Sequence, residues 1–344
     1  MTWTPLLLAD PSPCLRMLVL QDLLKSSEDN PEFQELVQRK QEDLLVSELV
    51  KLQSENGAWK ARDLQVFGSG DEIQATSQAL NRLGYLGFGQ NHPSVQAGAE
   101  YLFSLQRGDG SWELSRYRPE TEGGPGYSMI PLQTAIPLRG LASCSYATDP
   151  RAEHAYDWLL EQRLPDGAWP TGVASGNPGY VAGYRRLAHS RWGCRSNTTG
   201  ALICLALHPR RRNGSEARQA LDMLLGRETK EKHTLGFEVA RTVGAEPSRG
   251  FLTYYARFDL AQLLDLCWRV GASIEDERVA ETIDFVRALR GPYGLWEYIS
   301  QPQASRWVTF DILRSLSRLD KAGDWLSLEP RTPFQSYARR NRRF

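Results

Sequence analysis

Four short segments of the chain repeat one pattern, and that repeat limits the fold more than any other feature. They are Gln53-Ser-Glu-Asn-Gly-Ala-Trp59, Gln106-Arg-Gly-Asp-Gly-Ser-Trp112, Gln162-Arg-Leu-Pro-Asp-Gly-Ala-Trp169 and Arg290-Gly-Pro-Tyr-Gly-Leu-Trp296. Each follows a helical apolar run and closes on a glycine with a tryptophan two residues later. The polar residue before the glycine makes a tight turn, and glycine is free to take positive φ. The tryptophan then folds its apolar face back onto the unit, where its N–H still needs an acceptor. Trp59, Trp112 and Trp169 follow one another at roughly 55-residue spacing, which marks stacked or closed supersecondary units. Trp296 comes about two periods after Trp169, so a worn copy is expected between them, at Leu235-Gly236-Phe237.

Helical periodicity recurs along the chain, and strand-like alternation is nearly absent. The helices fall into two kinds. Those leading into the motif, at 34–53, 93–106, 150–163, 215–227 and 276–290, carry charge on one side and read as outer, half-solvated helices. Those at 72–84, 129–143, 195–207, 256–270 and 305–319 are poor in charge; the run Thr198–Leu207 is apolar on nearly all sides and reads as buried. Pro13–Leu24 adds an inner-type helix with prolines at its start. The expected fold class is therefore all-α: an α/α toroid of about six inner and five to six outer helices, with an open superhelix as the alternative. The toroid is expected to span 1–325, with a tail over 326–344.

Composition narrows the partners. Apolar residues make up 41% of the chain and charged residues 24%, the balance of a water-soluble globular protein. The formal net charge is zero, which argues against nucleic acid as the main partner. Arg210–Arg212 and the basic run Arg339–Arg343 read as a solvated loop and a tail. The five cysteines are scattered without a CxxC pair, so neither a disulfide framework nor a zinc knuckle is expected, and reduced thiols fit a cytoplasmic location. No signal peptide and no spanning helix are evident, while peripheral membrane contact stays open. The oligomeric state is not legible.

The Gln-x-x-x-Gly-x-Trp pattern at Gln53–Trp59 and Gln106–Trp112 resembles the repeats of squalene–hopene and oxidosqualene cyclases. The layout as a whole resembles the prenyltransferase and squalene oxidase repeat superfamily. Pro13–Leu24, Tyr255–Leu260 and Arg306–Thr309 are similar in particular to single-domain bacterial members of that terpene cyclase-like superfamily. The resemblance implies an α/α toroid with an apolar central cavity for an isoprenoid or similar hydrophobic small molecule. It also implies signatures that this sequence lacks. No Asp-x-Asp-Asp occurs, although such cyclases protonate an alkene or epoxide with its middle acid. Where prenyltransferases place zinc ligands, Asp259 matches, but Ala261 and Val308 stand at the cysteine and histidine positions. No metal and no cofactor are expected.

Residues near inner-helix starts are expected to face the cavity mouth, where two long glycine-rich loops (113–128 and 170–194) also arrive. The candidate acids are Asp259, Asp311 and Glu72, with Asp71 beside the last. The candidate binding residues are Tyr127, Trp192, Arg195, Asn197, Tyr254, Tyr255, Arg257, Arg306 and Trp307. Polar groups mixed with aromatics at one end of an apolar tunnel suit an amphiphilic ligand. Each also has a structural reading: helix capping for Glu72, ion pairing for Asp259 and ring packing for the tryptophans. Three functions follow: an isoprenoid cyclase- or transferase-like enzyme, a carbohydrate-active toroid with paired carboxylates, and a binding or scaffold module without catalysis.

Overall fold

The computed structural model describes residues 3–64, 66–67, 72–113, 130–172, 181, 183–226, 233–249 and 254–319. The expected tail over 326–344 lies outside them. Fourteen α-helices are present among the described residues, and the only ladder is a two-residue parallel pair, β1 (Val66–Phe67) with β2 (Ser248–Arg249).

The inner layer is α2 (Pro13–Leu18), extended by a π-helical turn over Val19–Leu23, then α5 (Glu72–Tyr85), α7 (Pro131–Ser143), α9 (Arg195–Leu207), α12 (Leu260–Val270) and α14 (Ser305–Leu319). The outer layer is α3 (Pro31–Arg39) with α4 (Leu44–Lys51), α6 (Pro93–Ser104), α8 (Pro150–Glu161), α10 (Ser215–Leu225) and α13 (Glu277–Ala288). Successive inner helices pack on one another from α5 through α14, α14 packs back on the π turn after α2, and α2 meets the chain just after α5, where a Cβ on Gly87 would lie 3.2 Å from Met17 Cε, so the ring closes. The closure is ionic as well as apolar. Arg318 reaches Asp22 at 3.0 Å, and Arg306 reaches Asp10 at 3.1 Å. Small residues let the inner helices approach closely: a Cβ on Gly140 would lie 2.6 Å from the Ser77 carbonyl oxygen. The run expected as one helix over 34–53 is two, because Asp43 caps a fresh start by accepting from the Leu45 N–H. The helix expected over 256–270 starts only at Leu260, after the Asp259 cap.

The motif does the same job four times. The indole N–H of Trp59, Trp112, Trp169 and Trp296 donates to the carbonyl of Leu49, Leu102, Leu159 and Val286, at 2.6–2.7 Å. Each of these carbonyls sits on the outer helix just ended. The backbone N–H of the same tryptophan donates to a threonine hydroxyl on the inner helix to come: Thr76, Thr134, Thr198 or Thr309. One residue thus fastens both layers, and its ring is fully buried. The glycine before it takes positive φ, 87° at Gly57 and 90° at Gly110. Space also requires glycine there, since a Cβ on Gly57 would lie 2.3 Å from the Ala97 carbonyl oxygen of α6. The Gln53 amide donates to the carbonyls of Gly57 and Ser94, tying the turn to the next outer helix, and Gln106 repeats this with Gly110 and Arg151. In the third copy the equivalent residue is Arg163, not Gln162, because the turn bond runs from the Leu164 N–H to the Ala168 carbonyl.

The worn fifth copy departs from this plan. Gly236 keeps its positive φ of 82°, but two residues on, where tryptophan stands elsewhere, is Glu238. The chain continues there as a short helix, α11 (Phe237–Thr242), which packs against α5, α12 and α14. The threonine is replaced as well. The Glu238 N–H donates to Asp259 Oδ2 at 2.7 Å, and the Gly236 and Ala261 N–H groups donate to its Oδ1 at 2.9 and 3.0 Å. Asp259 is therefore both the cap of α12 and the fastener of the fifth turn. Arg82 of α5 holds the far end of α11 through the Thr242 carbonyl at 2.9 Å.

Two predictions follow from these ties. Trp112→Ala and Trp169→Ala each destabilise by roughly 3–5 kcal/mol in chemical unfolding, the range for buried aromatic truncations; losses under about 1 kcal/mol at both sites would show that the tryptophans do not join the layers. Burial lifts the Asp259 carboxyl from 3.8 to about 6, against the three N–H donors. A native value above the unfolded one makes this group's contribution full below about pH 4 and lost as pH rises through about 6. The stability gap between wild type and Asp259→Asn therefore narrows by up to roughly 3 kcal/mol across that window. A gap that stays constant in unfolding curves across the window would contradict the assignment.

Candidate functional site

Inside the ring lies a cavity of about 320 Å³. It is bounded by the C-terminal halves of α2, α5, α7, α9 and α14, by α12, and by one face of α11. This cavity differs from the expected apolar one with its mouth at the inner-helix starts. The cavity sits toward the opposite ends of those helices, and its wall carries Asp22, Arg139, Glu238, Asp265, Arg269, Asp311 and Arg314 beside Leu18, Ala142, Ile203 and Leu266. The displacement has a cause. Glu238, Val239 and Thr242 of α11 line the cavity, while Val243, Gly244 and Ala245, just after it, line a separate groove of about 800 Å³. That groove also takes in Asp10, Arg306 and Trp307 near the starts of α2 and α14. The fifth repeat therefore stands between the cavity and that groove.

Two charged sets face the cavity. In the first, Asp311 and Arg314 stand one turn apart on α14 and pair directly. Asp311 also accepts from the Tyr85 hydroxyl at 3.3 Å. Asp265 of α12 accepts from Arg269 at 2.8 Å and from the Trp268 indole at 3.0 Å, and lies 3.7 Å from Arg314. Burial pushes the Asp311 carboxyl up; Arg314 opposes this and the neighbouring Asp265 charge adds to it. Asp265 goes the other way, because Arg269 and Arg314 overcome its burial. Two carboxyls in one cavity are thus driven apart, Asp311 toward the neutral acid and Asp265 toward the carboxylate. In the second set, Glu238 takes Arg139 of α7 on one oxygen and Arg241 of α11 on the other, and Arg139 also donates to the Tyr255 hydroxyl.

The structure brings only part of the sequence-derived set together. Asp311 is 4% exposed and lines the cavity. Tyr255 and Tyr254 are buried behind it, Tyr255 on Arg139 and Tyr254 with its ring 3.4 Å from the Arg241 guanidinium carbon. Trp307 packs its ring 5.9 Å from that of Tyr85, but opens to the groove together with Arg306. The remaining candidates lie elsewhere. Glu72 is exposed at the start of α5 and accepts from Tyr101. Asp259 is occupied by backbone N–H groups. Asn197 is buried and accepts from the Leu132 N–H at 2.8 Å, joining α9 to α7. Arg195 donates to the Ala256 carbonyl, Trp192 is half-buried, and exposed Arg257 lies 4.2 Å from the Phe237 ring. Tyr127, Asp71, residues 114–128 of the first glycine-rich loop and 173–180 and 182 of the second lie outside the described residues. Among the described residues no group of three His, Cys, Asp or Glu side chains could hold a metal, and no helix is long and apolar enough to cross a membrane.

Sequence reading missed Asp22, Arg139, Glu238, Arg269 and Arg314 as site residues. A signal for two of them existed. Arg139 and Arg314 are charges set into helices otherwise read as buried, and an arginine there needs a carboxylate in reach.

Comparison with known proteins agrees with the repeat. The model of the squalene-hopene cyclase C-terminal domain matches residues 19–186. A squalene–hopene cyclase of Zymomonas mobilis subsp. mobilis is 26% identical over 149 residues, which cover 43% of this chain and 21% of that protein. The match thus spans about a fifth of that relative's length. Among solved structures, the apo type II terpene cyclase MstE from Scytonema is 14% identical with a TM-score of 0.47, over 93% of this chain and 89% of that one. A protein from Actinoplanes is 14% identical with a TM-score of 0.34, over 80% and 97%. The family match covers the first three motif copies, and over that stretch the chain is similar to the terpene cyclase-like superfamily.

Proposed function

We propose that the ring cavity binds an isoprenoid or similar small molecule and that Asp311 is its proton donor. The observation that carries this reading is a buried carboxyl, pushed toward its neutral form, on the wall of a cavity enclosed by terpene cyclase-like repeats. In the neutral form Asp311 can give its proton to a substrate alkene. The π pair becomes a C–H bond, the positive charge moves to the neighbouring carbon, and the carboxylate left behind is held by Arg314 and the Tyr85 hydroxyl. Tyr85 is itself held neutral, since burial and the nearby Asp311 raise its pKa well above the usual value. Tyr85 also lines the cavity, so a cation formed beside Asp311 has its ring within reach. Loss of a proton from the rearranged cation would return the site to its starting charge.

A second reading is favoured by a specific observation: the carboxyls of the cavity wall all have guanidinium partners. Such a network also suits a binding protein whose polar interior fixes one packing arrangement and catalyses nothing.

The test is incubation of the purified protein with geranylgeraniol or squalene in heavy water, followed by mass spectrometry of the extract. The enzyme reading predicts a deuterated isomer or cyclised product from wild type. In Asp311→Asn it predicts a fall of at least about 100-fold, the scale of a lost general acid, with probe binding retained. Binding without deuterium uptake supports the second reading. Absence of binding by either probe, or full turnover by Asp311→Asn, contradicts the proposal.

A further inference from the structure

The cavity and the groove meet at a thin wall. Trp307 and Asp311 stand four residues apart on α14, so they share one face of the helix, about 6 Å apart along its axis. Asp311 lines the cavity and Trp307 the groove. On the α11 side the change comes between neighbours, since Thr242 lines the cavity and Val243 the groove. Tyr85 of α5 stands on the cavity side, its ring 5.9 Å from that of Trp307. The parts of this wall are held unequally. Thr242 is tied to α5 twice: its hydroxyl accepts from the Asn81 amide at 3.3 Å, and its carbonyl from Arg82 at 2.9 Å. Gly244 lies against the same arginine, where a Cβ would clash with the guanidinium. Tyr85 is held by its hydroxyl on Asp311. Trp307 is placed by packing instead. The indoles of Trp59, Trp112, Trp169 and Trp296 donate to outer-helix carbonyls, whereas the Trp307 N–H reaches no acceptor among the described residues. Its ring is 5% exposed, so it fills its place in the wall. Beyond it the groove is the larger space, about 800 Å³ against about 320 Å³, with Pro11, Pro13, Leu45, Val243 and Ala304 among its apolar walls.

We infer that Trp307 sets the length of the ligand chain that the cavity takes. The ring closes the cavity toward the groove and turns away a longer chain by steric clash. A smaller side chain at 307 joins the two spaces, and the groove then receives the excess length along its apolar walls. Trimming the ring breaks no hydrogen bond to a described residue, so the change acts on shape alone. The kind of chain rests on the proposed isoprenoid reading; the length limit rests on the wall.

The experiment offers the full chain two series of neutral alcohols. Geraniol, farnesol, geranylgeraniol and geranylfarnesol each add one isoprene unit to the last. Straight-chain alcohols from decanol to docosanol cover the same lengths without the branches. Each is supplied from cyclodextrin, and the amount retained after gel filtration is measured by mass spectrometry. The proteins are wild type, Trp307→Ala, Trp307→Leu and Leu44→Ala, each checked by its thermal midpoint. Trp307→Leu keeps an apolar group against Tyr85 and serves if the alanine variant unfolds. Leu44 is 70% exposed on the groove and forms no part of the wall. The inference predicts that retention by wild type falls tenfold or more at one step of the series. In Trp307→Ala that step moves to a chain at least one isoprene unit longer, Trp307→Leu moves it the same way, and Leu44→Ala leaves it in place. No step in wild type, a step unmoved in the Trp307 variants, or one moved equally by Leu44→Ala overturns the length limit and leaves the isoprenoid reading intact. If only straight-chain alcohols bind and their step moves with Trp307, the isoprenoid reading falls and the limit stands. Retention of neither series overturns both.

Discussion

The structure depends on one repeated tie, a tryptophan that holds an outer helix by its indole N–H and the next inner helix by its backbone N–H. Neither bond is strong by itself, about 1 kcal/mol net. What makes the tie effective is its position. The indole ring is buried between the layers, so the two bonds fix where a large apolar surface lies and which way the chain turns. The threonine hydroxyl that receives the backbone N–H stands within the first turns of α5, α7, α9 and α14, so these four inner helices start at a set height. A closed ring follows when units of equal height and tilt meet end to start, here where Arg318 and Arg306 reach the acids of the first repeat.

The fifth repeat shows what happens when the tie changes chemistry. With Glu238 at the tryptophan position, no apolar ring exists to fill the space between layers, and a carboxylate needs cations. Arg139 and Arg241 supply them, and α11 lies inside the ring with Asp259 in place of the threonine. This replacement accounts for the Arg139–Glu238–Arg241 charges at the cavity, and the α11 it starts stands between the cavity and the groove that holds Arg306 and Trp307. A site is thus made by spending one structural position of the repeat.

Much of the fold was legible in advance because it rests on local chemistry. The Gly-x-Trp turns, the apolar inner helices and the charged faces of the outer ones are all sequence-local, and α9 and α14 fall at the expected residues, 195–207 and 305–319. The layer order followed from the period. The site was less legible, for a physical reason. Which buried charge meets which depends on contacts between residues far apart in the chain, as with Arg139 and Glu238 or Tyr85 and Asp311. Asp259 illustrates the converse. It stands at a family position, yet its carboxylate binds three backbone N–H groups, a role that only the path of the chain around Gly236 reveals. Asp311 was singled out for its place near an inner-helix start. Arg314, one turn away, carried a different signal, a charge within a helix read as buried.

The placement of α11 within the ring is the claim on which the rest turns, and amide hydrogen exchange tests it most directly. The Glu238 N–H is bonded to buried Asp259 and the Ala240 N–H to the Gly236 carbonyl, both inside the packed interior. The account predicts that these two amides exchange as slowly as those of α5 and α7, through opening of the whole ring. Exchange at the rate of exposed turns would contradict it, for then α11 is not packed inside the ring and Glu238 is not held at the cavity wall.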